Sequence, residues 1–242
     1  MEKPGADSVI QQTGQDRQES PVIAVRAVTK SYGRGEQKIS VLSALDFEAR
    51  RARTIAITGP SGSGKSTLLG LLAGLDQPDT GNILMDGLDV TGLSQAALSS
   101  FRAKTIGIVF QQFHLIQTLT ALENVSLPLE IAGTPDASRQ AIARLKAVGL
   151  ADRASHLPSQ LSGGECQRVA IARALVVNPK ILLADEPSGN LDTKTGEKIT
   201  DLLFELVRKE GTTLILVTHN EDLAARCDER YQLRDGQLHR IS

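Results

Sequence analysis

With 242 residues, the chain has room for one large domain, or one domain with a subdomain. Apolar residues make up 40% and charged residues 23%, enough for a packed core, and 27 basic against 28 acidic side chains leave a net charge of −1. That balance gives no bulk attraction to nucleic acid, aromatics at 3% without Trp argue against a base-stacking platform, and Cys166 and Cys227 lie too far apart for a disulfide framework or a zinc site.

No apolar run approaches the roughly 20 residues that span a bilayer. The first residues, MEKPGADSVIQQTGQDRQES, contain no hydrophobic signal core. A soluble, intracellular protein in a reducing compartment is expected, with any membrane role reached through a partner. Met1–Ser20 is polar and has no periodic apolar face, so it is expected to be a disordered tail.

Pro21–Ser31 reads as a strand alternating around Ile23, Val25 and Val28. Tyr32 follows at the edge of a polar loop, Gly33–Lys38, placed either to pack or to stack on a nucleobase. Ile39–Ala49 is a second strand and Thr54–Thr58 (TIAIT) a short buried one. Then comes Gly59–Pro60–Ser61–Gly62–Ser63–Gly64–Lys65–Ser66, followed by Thr67, which fits the phosphate-loop pattern G-x-x-x-x-G-K-[ST] at every position. Ser66–Leu75 reads as a helix. In such a strand–loop–helix unit, backbone N–H groups and the helix N-terminus wrap a polyphosphate. Lys65 is expected to reach the β- and γ-phosphates and Ser66 to hold Mg²⁺.

Asp86–Gly87 within Asn82–Val90 predicts a hairpin, and Thr105–Phe110 (TIGIVF) a buried strand ending at Gln111. From about 113 to 177 strand signals give way to helical ones, over Thr120–Ala132, Asp136–Val148 and Cys166–Val177, which predicts a helical subdomain inserted in an α/β core. Strands return at Lys180–Ala184, Thr213–Thr218 and Arg230–Arg234, with a helical stripe of Ile199, Leu202, Leu203 and Leu206 between the first two. Strands alternating with helices imply a mainly parallel, doubly wound sheet.

Two further stretches carry chemistry. Ile181–Leu–Leu–Ala–Asp185–Glu186 is a buried-strand pattern that delivers two carboxylates at its C-terminal edge, where open α/β sheets bind ligands. Asp185 would hold Mg²⁺, and Glu186 would orient or deprotonate an attacking water. Pro187 also suits the first position of a helix. Leu161–Ser162–Gly163–Gly164–Glu165 reads in two ways. Ser162 and Glu165 make an S-x-x-E capping box, while two glycines at the helix start expose N–H groups for a second anion site.

Taken together, the chain resembles the nucleotide-binding subunit of an ATP-binding-cassette (ABC) transporter, over about Val22 to Leu238. The phosphate loop Gly59–Thr67, the signature Leu161–Glu165 and the strand ILLADEP stand in the family's order. The resemblance implies a phosphate-loop NTPase fold. A RecA-like core and an antiparallel β subdomain would occupy about 21–112 and 178–242, and the helical subdomain about 113–177. It implies that Tyr32 stacks on adenine and that Gln111, where core and helical subdomain join, binds Mg²⁺ and reports the γ-phosphate. It further implies that the Ser188–Gly189–Asn190–Leu191–Asp192 loop crosses a dimer interface and that His219 is a switch histidine holding Glu186 and the γ-phosphate. Lys65, Glu186 and His219 would then be the catalytic set, with ATP and Mg²⁺ as cofactors. His114, His156 and His239 match nothing catalytic. Cys166 sits where such families carry a longer polar residue; a tolerated variation is expected, with sensitivity of the signature helix to thiol reagents as the second reading.

The resemblance also implies a head-to-tail homodimer, with the phosphate loop of one protomer and the signature of the other gripping the same ATP. Integral membrane permease subunits would be the partners, nucleic acid would not, and the chain would sit on the cytoplasmic face of the inner membrane. FQQFHLIQTLTALENVSLPLE with DEPSGNLD looks like the branch serving lipoprotein release, macrolide-type efflux and the cell-division complex. A small-solute importer subunit is the alternative. A non-transport ABC ATPase acting on DNA or ribosomes fits less well, since the chain has one cassette, no heptads and no zinc cysteines.

Overall fold

The computed structural model describes residues 20–33 and 38–241. Most of the expected tail (1–19) and of the Gly33–Lys38 loop (34–37) lies outside the described residues.

Two sheets organise the molecule. An antiparallel sheet takes β1 (Ile23–Tyr32), β2 (Ile39–Ala49), β4 (Thr80–Met85) and β5 (Leu88–Asp89) in the order β2-β1-β4-β5. The second takes β3 (Thr54–Thr58), β6 (Ile106–Val109), β7 (Ile181–Asp185), β8 (Thr213–Val217), β9 (Glu229–Arg234) and β10 (Gln237–Arg240) in the order β10-β9-β3-β8-β7-β6. Its pairs are parallel except β9–β10 at the edge.

The central strands read as unbroken apolar runs because both their faces are covered. In β7 and β8, Ile181, Leu183, Ile215 and Val217 join the core beneath the antiparallel sheet, with Ile23, Phe47 and Leu71. Their alternating neighbours Leu182, Ala184, Leu214 and Leu216 join a second core on the opposite face. That core is closed by α3 (Ala121–Ile131), α4 (Ala137–Ala147), α5 (Gly163–Leu175) and α6 (Thr193–Glu210), through Val125, Leu145, Ile171 and Phe204. The first core holds α1 (Lys65–Leu72) and the inner edge of α2 (Gln95–Thr105). A four-residue α7 (Glu221–Ala224) follows β8.

The spacing of Ile23, Val25 and Val28 does not keep a period of two, yet all three are buried. A bulge restores the face: Val25 pairs with Phe47 and Val28 with Leu45, and Ala27 between them adopts φ +47°. The hairpin turn at Asp86–Gly87 forms as the sequence predicts, with both residues at positive φ.

Several boundaries differ from expectation. The helix after the phosphate loop ends at Leu72, because Gly74 turns the chain at φ +61°. The helix expected from Cys166 starts at Gly163, so both signature glycines lie in its first turn. Helix α2 and strand β10 have no counterpart in the sequence reading. Only Leu98 and Thr105 of α2 are buried and no residue of β10 is, so neither leaves a clear apolar period.

Candidate functional site

The phosphate loop leaves β3 at the C-terminal edge of the parallel sheet, beside the ends of β7 and β8. Glycines are required at two of its turns. Gly59 has φ +146°, and a Cβ there would come within 2.5 Å of the Leu233 carbonyl oxygen. Gly64 has φ +101°, and its Cβ would press on Val41 at 2.7 Å. Lys65 Nζ donates to the carbonyls of Gly59 (2.9 Å) and Pro60 (2.8 Å), so the ammonium is folded over the loop. No side chain caps the N-terminus of α1, and its first turn carries no acidic residue. The hydroxyl oxygen of Ser63 is buried without a partner. An uncapped helix start, a lysine and an orphaned hydroxyl inside a glycine cradle fit a polyphosphate. Ser61, Gly62 and Ser66 are exposed along the loop, with Thr67 half-buried at the start of α1.

Two carboxylates stand at the end of β7, Asp185 as its last residue and Glu186 just beyond it. Asp185 is half-buried at the strand end; burial pushes its carboxyl up, the charge of Glu186 adds to this, and Lys65 opposes it. Glu186 takes φ +45°, uncommon for a residue with a side chain, and its N–H donates to the Val217 carbonyl (2.9 Å). The left-handed turn directs its carboxylate to the end of β8. Oε1 accepts the backbone N–H of His219 (2.8 Å) and faces His219 Nδ1 (2.6 Å); Oε2 accepts from Thr218 Oγ1 (3.2 Å). A carboxylate accepts, so Nδ1 carries the shared proton and Nε2 is left for a second partner. The imidazole is 76% exposed whereas the Glu186 side chain is 17% exposed, so an anchored carboxylate lies beneath an accessible histidine.

Ser66, in the first turn of α1, and Asp185, whose carboxyl feels the Lys65 charge, are hard-oxygen donors of the kind suited to Mg²⁺. Among the described residues no group of three or more His, Cys, Asp or Glu could hold a metal. Mg²⁺ commonly needs only one or two carboxylates beside waters and phosphates. The side chain of Gln111 is engaged elsewhere: its Nε2 donates to Asn190 Oδ1 (3.0 Å), and Asn190 Nδ2 returns a bond to the Gln111 carbonyl (3.0 Å). Gly189 makes room for that pair, since a Cβ would stand 2.8 Å from Gln111 Nε2. Asp192 caps α6 by accepting from Thr195 N–H, while Leu191 packs on the second core beside Gly163 of α5 and Ser188 lies against Gly196 of α6.

Tyr32 ends β1, 45% exposed, with its hydroxyl donating to Asp76 (2.8 Å). Lys30 also binds Asp76 (2.7 Å) and lies 5.1 Å from the ring centroid. Burial and then the bond to Asp76 push the phenol up.

At the start of α5 the capping box forms. Ser162 accepts from Glu165 N–H (3.3 Å), and the Glu165 carboxylate accepts from Ser162 N–H and O–H (both 2.8 Å). These bonds hold the Glu165 carboxyl below the usual range. Ser162 and Gly163 are exposed, whereas Gly164 is buried against Thr195. Leu161 is half-buried on the second core. Of the two readings of Cys166, sensitivity to thiol reagents does not fit: the residue is buried, and burial followed by the Glu165 charge pushes its thiol up, away from the reactive thiolate.

The family model for ABC transporters matches residues 42–189. This chain belongs to the ABC transporter family. It is 51% identical over 219 residues to the uncharacterized ABC transporter ATP-binding protein YbbA of Escherichia coli K12, covering 90% of this chain and 96% of that protein. It is 50% identical over 221 residues to the lipoprotein-releasing system ATP-binding protein LolD of Geobacter metallireducens, covering 90% and 98%. Among solved structures, the dimeric bacterial ABC transporter cassette MJ0796 matches with a TM-score of 0.83 at 43% identity, covering 90% of this chain and 97% of that one. A post-hydrolysis dimer of the same cassette with ADP and phosphate matches with a TM-score of 0.82. The chain is therefore an ABC ATPase with the cassette fold, an ATP-binding subunit of a transporter. Among its described residues no helix is long and apolar enough to cross a membrane.

Sequence reasoning missed Thr218, which donates to Glu186, and Asp76, which gathers Lys30 and Tyr32. Thr218 lies next to His219 in the sequence and could have been found from that adjacency. Asp76 sits 44 residues from Tyr32, and no sequence signal joins them.

Proposed function

We propose that this ABC ATPase hydrolyses MgATP at a head-to-tail dimer interface and drives a membrane partner in lipoprotein release or related export across the inner membrane. The observation that carries the dimer is the separation of two anion-binding features in one chain. The phosphate loop stands at the sheet edge, whereas the exposed Ser162–Gly163 turn belongs to α5 on the helical side. A triphosphate held by the loop of one protomer would meet the signature turn of the other. The solved MJ0796 cassette is a dimer.

Within each site Lys65 would leave its two carbonyl partners for the β- and γ-phosphates. Ser66, Asp185 and Gln111 would hold Mg²⁺, which neutralises charge on the transferred phosphoryl group. Gln111 must exchange its bond to Asn190 to do so. Glu186, held by Thr218 and His219, would take the proton of the attacking water, and His219 Nε2 would face the γ-phosphate. Tyr32 would stack on adenine. ATP favours closure because it touches both protomers; hydrolysis removes part of that differential affinity and the dimer opens.

A groove of about 310 Å³ supports the membrane partner. It lies between α2–β6 and α3, lined by Arg102, Ala103, Ile108, Leu127, Pro128 and Ile131. Ile131 is 73% exposed, and an apolar cytoplasmic helix of a permease would cover it.

Gly163→Asp tests the dimer. The variant should bind ATP as a monomer and fail to form an ATP-dependent dimer in size-exclusion chromatography; a persisting dimer would remove the signature from the interface. Affinity capture of the membrane protein that co-purifies tests the transport reading. A permease with a large periplasmic domain supports it, and one lacking that domain but working with a periplasmic binding protein would make the chain an importer subunit.

A further inference from the structure

Gln111 lies on a loop whose conformation its own residues do not favour. Phe113 and His114, two and three positions on, both adopt left-handed φ, +53° and +48°. Neither is a glycine or an asparagine, so the surroundings must impose the shape. The carbonyls of both residues are held by one helix. Arg173 of α5 donates from Nη2 to the Phe113 carbonyl (2.9 Å) and from Nη1 to the His114 carbonyl (2.7 Å). Two main-chain carbonyls, rather than a carboxylate, take both arms of the guanidinium. Gln167, fully buried on the same helix, points Nε2 at the Phe110 carbonyl (3.5 Å), while its Oε1 is buried without a partner. The Phe113 ring reaches the start of the helix as well, 3.8 Å from where a Cβ on Gly163 would stand.

From the N-terminal turn of α5 to its last, the helix thus grips the residues on both sides of Gln111. The unused Oε1 of Gln167 is a buried acceptor beside a loop that must rearrange when Gln111 leaves Asn190. An orphaned acceptor at that place costs free energy until an N–H arrives.

We infer that Gln167 and Arg173 are positioning residues for hydrolysis: through the carbonyls of Phe110, Phe113 and His114 they fasten the Gln111 loop to the signature helix, so that the γ-phosphate sensor and the signature of one chain move as a single piece. Neither touches the reacting atoms. The inference rests on the proposed role of Gln111 and goes beyond it by naming the link. Arg173 holds the bend by two bonds in a fixed fork, which a lysine reproduces only in part.

The test uses the full chain. Steady-state ATPase, nucleotide affinity and thermal unfolding are measured for Gln111→Ala, Arg173→Met, Arg173→Lys, Gln167→Leu and the double variant Gln111→Ala/Arg173→Met. The expected result is a tenfold or greater loss of kcat in Arg173→Met with KM and ATP affinity within twofold of wild type, since the phosphate loop is untouched. Arg173→Lys should recover part of the rate. The double variant should be no slower than the slower single variant, because both act through one loop. If Arg173→Met does not fold, Gln167→Leu takes its place and should lose kcat in the same way.

A lower melting temperature with unchanged kcat would make these residues structural and overturn the inference, as would rate losses that multiply in the double variant. Wild-type kcat in Gln111→Ala would remove the sensor role itself, and the link with it. A slow Gln111→Ala beside full-rate Arg173 and Gln167 variants would sink the link alone.

Discussion

Glu186→Gln separates the chemistry of the site from its architecture. The glutamine carbonyl can still accept from His219 N–H and Nδ1–H, as Glu186 Oε1 does. Its amide would face Thr218 Oγ1, which now donates to Oε2 and already accepts from Asn220 N–H (3.1 Å). That hydroxyl has a second lone pair and can turn to accept. The backbone at φ +45° is no harder for glutamine than for glutamate. Stability should therefore change by less than about 1 kcal/mol, one rearranged hydrogen bond. The rate should not survive, because an amide cannot take the proton of water. General-base catalysis contributes about 10²–10⁴-fold, or roughly 3–5 kcal/mol of barrier. Phosphate release under saturating MgATP should fall by at least a hundredfold, while ATP affinity stays within a few-fold of wild type. Size-exclusion chromatography with ATP should show a dimer that persists for hours. Hydrolysis within threefold of wild type would refute the assignment of Glu186 as the base.

Tyr32→Ala should weaken ATP binding by roughly 5- to 150-fold, from the 1–3 kcal/mol of an aromatic–base stack, whereas Tyr32→Phe, which loses only the bond to Asp76, should stay near wild type in a fluorescent-nucleotide titration. Gly107→Ala should lower the melting temperature by about 4–8 °C, or ~2 kcal/mol, because a Cβ on β6 would overlap the Ala174 carbonyl of α5 and backbone cannot move aside cheaply. The Asp86 carboxyl is raised by burial, but bonds from Lys180 and Arg51 outweigh that and hold it below the usual range. Its folded-state pKa is depressed, so the stabilisation is complete above the ordinary Asp value of about 4 and is lost as pH falls through the folded value. Asp86→Asn, tolerant of φ +51°, should cost ~1 kcal/mol at pH 7 and flatten the melting-temperature curve below about pH 4.

The phosphate loop, the signature and the β7 carboxylates were legible in the sequence because each is a local device. Glycines at Gly59 and Gly64, a lysine at Lys65 and two acids after four apolar residues state their chemistry within a few positions. The central strands were legible because burial on both faces leaves unbroken apolar runs, as in Thr54–Thr58 and Thr213–Val217. Helix α2 was not, since it buries so little that its composition records no face.

Tertiary structure alone decided the contacts between distant segments. It set Thr218 and His219 on Glu186 by pairing β7 with β8, because parallel neighbours bring their C-terminal ends to one edge. It joined Gln111 to Asn190, 79 residues on, and fastened the Gln111 loop to Arg173, about 60 residues away. It also withdrew Cys166 from solvent, since which face of α5 is covered depends on packing against α3, α4 and α6. A residue's chemistry is written in its side chain, but the partner that directs that chemistry is chosen by the fold.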